Sequence, residues 1–278
     1  MPTINVNYNR KTHMRKAIYI ISIVITIIVF SIAALRIHPY YQYALEQTMT
    51  FQKKKCMEDT LKIAFIGDSW ADYHRNYNAL LETMLHNDSI CAYVSSEGYI
   101  GAKSKEIYNR LFTSARSLLE QQPDYCIMSV GINDAVAKMG KDYYTHHYLL
   151  IVHLLLNAGI KPVVIEMPNV NYRAINRREH WLMKIRHYLS AMITGSEMYG
   201  FESYREALKN ALTEEMLMDD IVYIKSESWN PNGFRDSQHL YLDDQTHLNA
   251  KGYQKLDSCI ASEIARDMKI KKTINIYE

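Results

Sequence analysis

The feature of this chain that most restricts its folding is an unbroken run of 19 uncharged residues near the N-terminus. The run extends from Ala17 to Leu35 and reads AIYIISIVITIIVFSIAAL. As a helix it would be about 28 Å long, close to the hydrocarbon thickness of a bilayer. It is far too long for one buried strand, and lipid requires a spanning segment to satisfy its backbone internally as a helix. The sequence therefore predicts a transmembrane helix over residues 17–35.

Basic residues are unevenly distributed around this run and indicate its orientation. Four precede the run and one follows it closely: Arg10, Lys11, Arg15 and Lys16 before it, and Arg36 after it. By the positive-inside rule, this bias predicts a cytoplasmic N-terminus over residues 1–16 and a body that is extracytoplasmic, in the periplasm or at the cell surface. A cleaved signal peptide is the alternative, but the only small-residue cleavage pattern, Ser31-Ile32-Ala33, is weak and the apolar run is long for one.

The net charge of the chain beyond residue 36 argues against a nucleic-acid partner. The chain has 32 Lys+Arg against 30 Asp+Glu, and its first 36 residues hold five of the basic residues and no acid. The remainder therefore carries 27 basic and 30 acidic residues, or −3. A slightly acidic body lacks the concentrated basic face of a nucleic-acid binder, so we expect no nucleic-acid partner.

The four cysteines are too few to form a disulfide scaffold in 278 residues. Cys56 and Cys259 flank the body and are a candidate pair in an oxidising exterior. No cysteine has metal-ligand spacing, and the adjacent His146 and His147 lack obvious partner ligands. We therefore expect no metal and no cofactor.

Short apolar runs alternate with helical patterns throughout the body. Strands are predicted at residues 61–67, 89–95, 125–130, 161–166 and 221–224, and helices at 74–86, 103–121, 143–158, 179–193, 202–212 and 250–268. This alternation predicts an α/β fold, a three-layer α/β/α sandwich with a central five-stranded parallel sheet. We expect a tether over residues 36–56, one domain over 57–270 and a tail over 271–278. Ligands of such sheets bind beyond the carboxyl ends of the strands.

Three motifs with polar side chains lie at those ends. Gly67-Asp68-Ser69-Trp70 follows the first strand, where the glycine permits a tight turn that presents the serine hydroxyl. Gly131-Ile132-Asn133-Asp134 follows the third strand, and its Asn amide can donate to a developing oxyanion. Asp244 and His247 precede the last helix, at a spacing that lets the carboxylate hold Nδ1–H and leave Nε2 as a base. Each motif alone is equally well explained by helix capping or turn chemistry.

Together and in this order, the three motifs resemble the SGNH/GDSL hydrolase family over about residues 60–268. The resemblance implies a flavodoxin-like fold in which Ser69 is the nucleophile, His247 the general base and Asp244 the carboxylate that orients it. It also implies an oxyanion hole made of the Ser69 backbone N–H, a glycine N–H and the Asn133 amide.

Two of these assignments have alternatives. Gly101 matches the oxyanion glycine better than Gly98, because the family places that glycine just before the next helix. Asp243 is an alternative to Asp244, although its four-residue spacing to His247 departs from the motif.

Five further residues are candidates for contact with substrate: Asp68, Trp70, Asp134, Arg173 and Arg177.

The implied reaction is two-step acyl transfer through an acyl-serine. We expect a membrane-anchored serine esterase that hydrolyses acyl esters, chiefly O-acetyl esters, on cell-envelope or other carbohydrates. Its substrate would be an acylated small molecule or glycan, and polysaccharide-biosynthesis proteins are candidate partners. The alternatives are an O-acyltransferase that modifies a surface polysaccharide with the same triad, a lipase or lysophospholipase, and a non-catalytic glycan-binding protein on the same fold. The presence of all three triad residues weighs against the last of these.

Overall fold

The computed structural model describes residues 4–49, 60–231 and 234–277, and the chain divides into two units, Met1–Gln42 and Tyr43–Glu278. The first unit consists of helix α1 (Ile4–Ile37) and a short 3-10 turn at Pro39–Tyr41. Within α1, the stretch His13–Arg36 contains an 18-residue window with a mean hydropathy of 2.8, and this window is not buried. It is the one helix in the described part of the chain that is long and apolar enough to cross a membrane, and a membrane anchor or a signal sequence has these properties.

The second unit is built on a five-stranded sheet in which every pair of neighbouring strands is parallel. Its strands are β1 (Leu61–Gly67), β2 (Ala92–Gly98), β3 (Tyr125–Ser129), β4 (Lys161–Ile165) and β5 (Val222–Ile224). Their order across the sheet is β2-β1-β3-β4-β5. Gly67 is in register with Gly98 on one side and Ser129 on the other, so three strands end at one edge. The predicted five-stranded parallel sheet is confirmed.

Helices cover both faces of this sheet. They are α2 (Ser69–His74), α3 (Asn78–Asn87), α4 (Ser104–Leu111), α5 (Arg116–Glu120), α6 (Ile132–Val136), α7 (Lys141–Asn157), α8 (Tyr172–Arg178), α9 (Trp181–Thr194), α10 (Glu202–Glu214), α11 (Ser226–Trp229) and α12 (Ala250–Tyr277). On one face α12 packs against α3, and on the other α7 packs against α4 and α10. The connections reverse direction at β1, because β2 lies on one side of it and β3 on the other, which opens a crevice at the carboxyl ends of β1 and β3.

Two predicted helices differ from the structure. The helix predicted over residues 74–86 is shorter, because a separate helix, α2, begins at Ser69 and a 3-10 turn precedes α3. The helix predicted over 103–121 is two helices, α4 and α5. Between them the Thr113 hydroxyl donates to the Asn109 carbonyl at 3.3 Å, and the Ala115 N–H donates to the Arg110 carbonyl at 2.9 Å. Such local hydrogen bonds offer the backbone an alternative to continuing the helix.

Part of the predicted tether belongs to the second unit. The Ala44 N–H donates to His147 Nε2 at 2.9 Å, and His146 Nε2 is hydrogen-bonded to the Ala44 carbonyl at 2.9 Å. The Gln47 N–H donates to the Tyr108 hydroxyl at 2.7 Å. His146 and His147, for which the sequence offered no metal-ligand partners, therefore bind the segment around Ala44 to α7. Residues 50–56 of the predicted tether lie outside the described residues.

A close approach between α2 and β2 generates a prediction about stability. A Cβ built on Gly98 would lie 1.9 Å from the backbone nitrogen of Asp72, so any side chain there forces α2 away from the sheet. We expect Gly98→Ala to lower the free energy of unfolding by about 1–3 kcal/mol, as overpacking does. Urea unfolding of the full chain in detergent measures this change. Ser95→Ala in the same strand is the control with little expected effect, and an unchanged midpoint for Gly98→Ala would contradict the packing argument.

Candidate active site

The first polar group at the carboxyl edge of the sheet is Ser69. A Cβ on Gly67 would lie 2.2 Å from the Ser129 carbonyl oxygen, so glycine is required where β1 ends beside β3. The chain then turns into α2 through Asp68, whose carboxylate accepts a hydrogen bond from the Trp70 N–H at 3.0 Å. Ser69 is the first residue of α2 and is mostly buried, with 8% of its surface exposed.

Asp244 and His247 are brought together by a tight turn before α12. The Gln245 N–H donates to the Leu242 carbonyl at 2.8 Å, and the Leu242 N–H donates to the His247 carbonyl at 2.8 Å. Gln245 closes the turn with a left-handed φ of 58°, an uncommon conformation for a residue with a side chain. The turn therefore places the carboxylate and the imidazole on the same side of the loop.

Three side chains form a continuous hydrogen-bonded chain across this edge. His247 Nε2 lies 2.8 Å from Ser69 Oγ, and His247 Nδ1 is hydrogen-bonded to the Asp244 carboxylate. The other carboxylate oxygen of Asp244 accepts the backbone N–H groups of Thr246 and His247, each at 2.9 Å. Asp243, the alternative carboxylate, is exposed, and the imidazole is bonded to Asp244 instead.

The environment of Asp244 keeps this residue ionised. Burial raises the pKa of its carboxyl, but hydrogen bonds from the His247 side chain and from the His247 and Thr246 N–H groups outweigh burial, so the pKa lies below its usual value. An ionised carboxylate holds the proton of His247 on Nδ1 and leaves the Nε2 lone pair facing Ser69. The arrangement can therefore remove a proton from the serine hydroxyl.

Two buried hydrogen bonds join the helix that carries Ser69 to the helix that follows His247. His74 Nε2, at the end of α2, lies 2.8 Å from the Asp257 carboxylate of α12, and both side chains are fully buried. The Tyr253 hydroxyl donates to the Trp70 carbonyl at 2.8 Å. Sequence reasoning missed these supports, because their partners lie 183 positions apart.

The Asn133 side chain bonds to residues adjacent in sequence to Ser69 and Gly101, the other expected oxyanion donors. Its amide nitrogen donates to the Asp68 carboxylate at 3.3 Å and to the Ala102 carbonyl at 3.0 Å. Asp68 immediately precedes Ser69, and Ala102 immediately follows Gly101. Both amide hydrogens are engaged here, so donation to a substrate oxygen requires release of one of them, and the 3.3 Å bond is the weaker.

The two candidate oxyanion glycines have different structural reasons to be glycine. Gly98 permits the close approach of α2 to β2 described above. Gly101 is exposed, has a φ of 76° and has open space around the position of a Cβ. The requirement at Gly101 is therefore conformational, in the loop just before α4.

Three of the predicted substrate contacts lie in the protein interior. Trp70 is 1% exposed and packs edge-on against Trp229 at 5.8 Å between ring centroids. Asp134 is fully buried and accepts the backbone N–H of Ser104 at 2.8 Å and its hydroxyl at 2.6 Å. Asp68 is 1% exposed. In the structure these side chains support the loops around the site, and their contact with substrate stays a prediction.

The predicted arginines lie on α8, which borders the site. Arg173 and Arg177 are exposed, and the Arg177 Nε–H donates to the Arg173 carbonyl at 3.4 Å. Arg178 contacts the loop of Asp244 itself: its guanidinium donates to the Asp244 carbonyl and, at 3.4 Å, to the Thr246 hydroxyl. The run of arginines was visible in the sequence, but which one reaches the loop depends on how α8 is placed.

Among the described residues, no group of three or more His, Cys, Asp or Glu side chains could hold a metal ion. The described cysteines, Cys91, Cys126 and Cys259, are free. The predicted pairing of Cys259 with Cys56 involves a residue outside the described ones.

Comparisons with known proteins agree with this geometry. The sequence matches the model of the GDSL-like lipase/acylhydrolase family over residues 65–255, a range that contains all three motifs. The chain is similar in fold to the acetylxylan esterase Axe2 from Geobacillus stearothermophilus, at 17% identity and a TM-score of 0.51, over 75% of this chain and 96% of that one. It is also similar to LAE5, an alpha/beta hydrolase enzyme from the metagenome of Lake Arreo, Spain, at 17% identity and a TM-score of 0.50, over 74% and 95%. No curated protein matches the sequence.

The burial of Asp68 predicts a dependence of stability on pH. Burial raises the pKa of this carboxyl to about 7 from 3.8, although hydrogen bonds from Trp70 and Ser129 oppose the shift. Because the folded pKa is raised, the contribution of Asp68 to stability is fully present below pH 3.8 and is lost as the pH rises to about 7.

We therefore expect Asp68→Asn to change the slope of the free energy of unfolding between pH 4 and pH 7. The wild-type chain should lose roughly 1 kcal/mol more per pH unit than the variant. Urea unfolding at a series of pH values measures the two slopes. Asp243→Asn removes an exposed carboxyl and serves as the control, and equal slopes for wild type and Asp68→Asn would refute the assignment.

Proposed function

The chain belongs to the GDSL-like lipase/acylhydrolase family of ester-hydrolysing enzymes, and from that premise we propose that it is a serine esterase that removes O-acetyl groups from carbohydrates. The observation that carries the proposal is the hydrogen-bonded chain from the Asp244 carboxylate through His247 to the Ser69 hydroxyl. In this proposal Ser69 is the nucleophile, His247 the general base and Asp244 the carboxylate that orients the imidazole.

The first half-reaction forms an acyl-serine. Ser69 Oγ attacks the ester carbonyl carbon while His247 Nε2, 2.8 Å away, takes the hydroxyl proton. The imidazolium that forms is stabilised by the ionised Asp244 at Nδ1. The tetrahedral intermediate then collapses, the bond to the alcohol oxygen breaks, and His247 returns its proton to that oxygen. The deacylated sugar leaves and the acyl group remains on Ser69.

The second half-reaction repeats these steps with water as the nucleophile. His247 Nε2 takes a proton from water as the water oxygen attacks the acyl carbonyl. The bond to Ser69 Oγ breaks, the serine regains its proton from His247, and the carboxylic acid is released. In each half-reaction the negative charge on the carbonyl oxygen is stabilised by the backbone N–H of Ser69, the N–H of Gly101 and the Asn133 amide, once Asn133 has released its hydrogen bond to Asp68.

Two observations support the acetyl and carbohydrate parts of the proposal. Axe2, whose fold this chain shares, is an acetylxylan esterase. Helix α8, which borders the site, carries the exposed Arg173 and Arg177, whose guanidinium groups can bond to sugar hydroxyls.

We further propose that α1 anchors the protein and that the catalytic domain is extracytoplasmic. The support is the apolar stretch His13–Arg36 together with the excess of basic residues on its N-terminal side.

The nucleophile is tested by substitution. We expect Ser69→Ala to lower kcat by roughly 10⁴-fold or more, because no other hydroxyl lies against His247 Nε2 among the described residues. Release of acetate from p-nitrophenyl acetate and from acetylated xylo-oligosaccharides measures the loss. Ser228→Ala replaces an exposed serine on α11 and should keep wild-type turnover.

Three results in the same assays would contradict the proposal. Wild-type turnover by Ser69→Ala would exclude this serine as the nucleophile. Transfer of acetyl to an added glycan without free acetate would identify an acyltransferase instead of a hydrolase. Faster turnover of p-nitrophenyl octanoate than of the acetate would contradict an acetyl preference.

The orientation is tested by labelling with a membrane-impermeant maleimide on spheroplasts. In a chain with Cys56→Ser and Cys259→Ser, the exposed Cys91 should react, whereas Cys126 is buried. The matched chain also replaces Cys91 with serine and carries Asn7→Cys in the N-terminal segment, and it should react only after lysis. Labelling in the opposite pattern would place the domain in the cytoplasm.

A further inference from the structure

Helix α9 carries its apolar side chains on its solvent side. Seven of its large hydrophobic residues are between 38% and 68% exposed: Trp181, Leu182, Met183, Ile185, Tyr188, Leu189 and Met192. Its buried residues are instead small or polar: His187, Ser190 and Ala191. An ordinary surface helix has the reverse arrangement. We call six of them, which share one side of the helix, the outer face of α9: Trp181, Leu182, Ile185, Tyr188, Leu189 and Met192. A contiguous exposed apolar surface marks an interaction site.

Polar contacts on the opposite side hold α9 in this orientation. The Ser190 and Thr194 hydroxyls both donate to the Lys138 carbonyl, at 2.8 and 3.1 Å. His187 Nδ1 is bonded to the Glu179 carboxylate at 3.1 Å. Turning the apolar side inward would break these bonds, so the outer face is a fixed feature of the surface.

The charge around the outer face indicates what covers it. Residues 172–194 contain five basic residues and one acid, although the chain beyond residue 36 has a net charge of −3. The basic residues are Arg173, Arg177, Arg178, Lys184 and Arg186, and the one acid, Glu179, is paired with His187. The segment that carries the apolar face is therefore basic, although the body as a whole is acidic. A surface of acyl chains under anionic headgroups complements both properties.

The composition of the face also suits a membrane interface. Trp181 and Tyr188 are the residue types enriched at the headgroup level, and Arg186 is an exposed cation on the same helix. The same chain holds the apolar stretch His13–Arg36, which is long enough to span a bilayer. We propose that the outer face of α9 docks into the interface of an anionic lipid membrane. This inference goes beyond the proposed esterase activity and does not depend on it.

Docking through α9 has a consequence for the site. Only Glu179 and His180 separate α9 from α8, and Arg178 of α8 donates to the Asp244 carbonyl. The docked surface and the loop of Asp244 therefore share one rim of the domain.

The test uses Trp181 as a reporter in the full chain. Trp70 and Trp229 are each 1% exposed, whereas Trp181 is 60% exposed, so the difference in emission between the wild type and Trp181→Phe reports the surface tryptophan. The protein is reconstituted in phosphatidylcholine vesicles containing phosphatidylglycerol, with either ordinary or brominated acyl chains. We expect the bromine atoms to quench the Trp181 emission about two-fold or more, because an interfacial helix buries its apolar face at the acyl boundary.

Variants of the face separate lipid contact from mere proximity to the vesicle. Leu182→Ser combined with Ile185→Ser should abolish the quenching, and Met216→Ser, which replaces an 83% exposed methionine on a distant turn, should leave it unchanged. Turnover of p-nitrophenyl acetate should be the same in all of these proteins, which shows that the domain is folded.

A separate pair of variants tests whether docking requires anionic lipid. Lys184→Gln combined with Arg186→Gln should reduce the quenching in vesicles with phosphatidylglycerol to the level in pure phosphatidylcholine. Arg116→Gln removes an exposed arginine on α5 that pairs with Glu120, and it should have no effect.

Three outcomes would overturn the proposal. Equal Trp181 emission in ordinary and brominated vesicles would show that lipid does not cover the face. Quenching that survives Leu182→Ser with Ile185→Ser would show that another surface makes the contact. Burial of Trp181 without lipid, with a blue-shifted emission that depends on protein concentration, would identify a second copy of the chain as the occupant.

Discussion

The site depends on the position of one imidazole, that of His247, between a serine and a carboxylate. Its Nε2 reaches Ser69, which lies 178 residues earlier in the chain, while its Nδ1 holds Asp244 within the same turn. The short-range bond is a local property of the turn. The long-range bond requires α2 and α12 to be held together, which the buried pair His74–Asp257 accomplishes at the far end of α2.

The parallel sheet supplies the frame on which this contact is built. Because Gly67 is in register with both Gly98 and Ser129, the loops after β1, β2 and β3 all leave one edge at the same level. Those loops carry Ser69, Gly101 and Asn133. Burial of the loop carboxyls is the cost of so close an arrangement, and it raises the pKa of Asp68 to about 7.

Two surface features of the second unit bear on where the protein acts: the segment around Ala44 and the outer face of α9. The segment around Ala44 is hydrogen-bonded to His146 and His147, so the start of the catalytic unit is bound along α7. The outer face of α9 is apolar and flanked by cations, and α8 joins it to the loop of Asp244. If the proposed docking holds, these surfaces present the site at a membrane, because α8 lies between the docked face and the loop of Asp244.

The sequence by itself determined the apolar helix, the sheet and the chemical types at the strand ends. A short apolar run that ends at a glycine predicts a buried strand, and β1 has the predicted bounds. The three-residue spacing of Asp244 and His247 was enough to bring their side chains into contact. Only the tertiary structure decided which side chains are buried and which are exposed around the site. Trp70 is next to Ser69 in the sequence yet is buried, and α9 has its apolar side outward, because the partners that fix both lie far away in the chain.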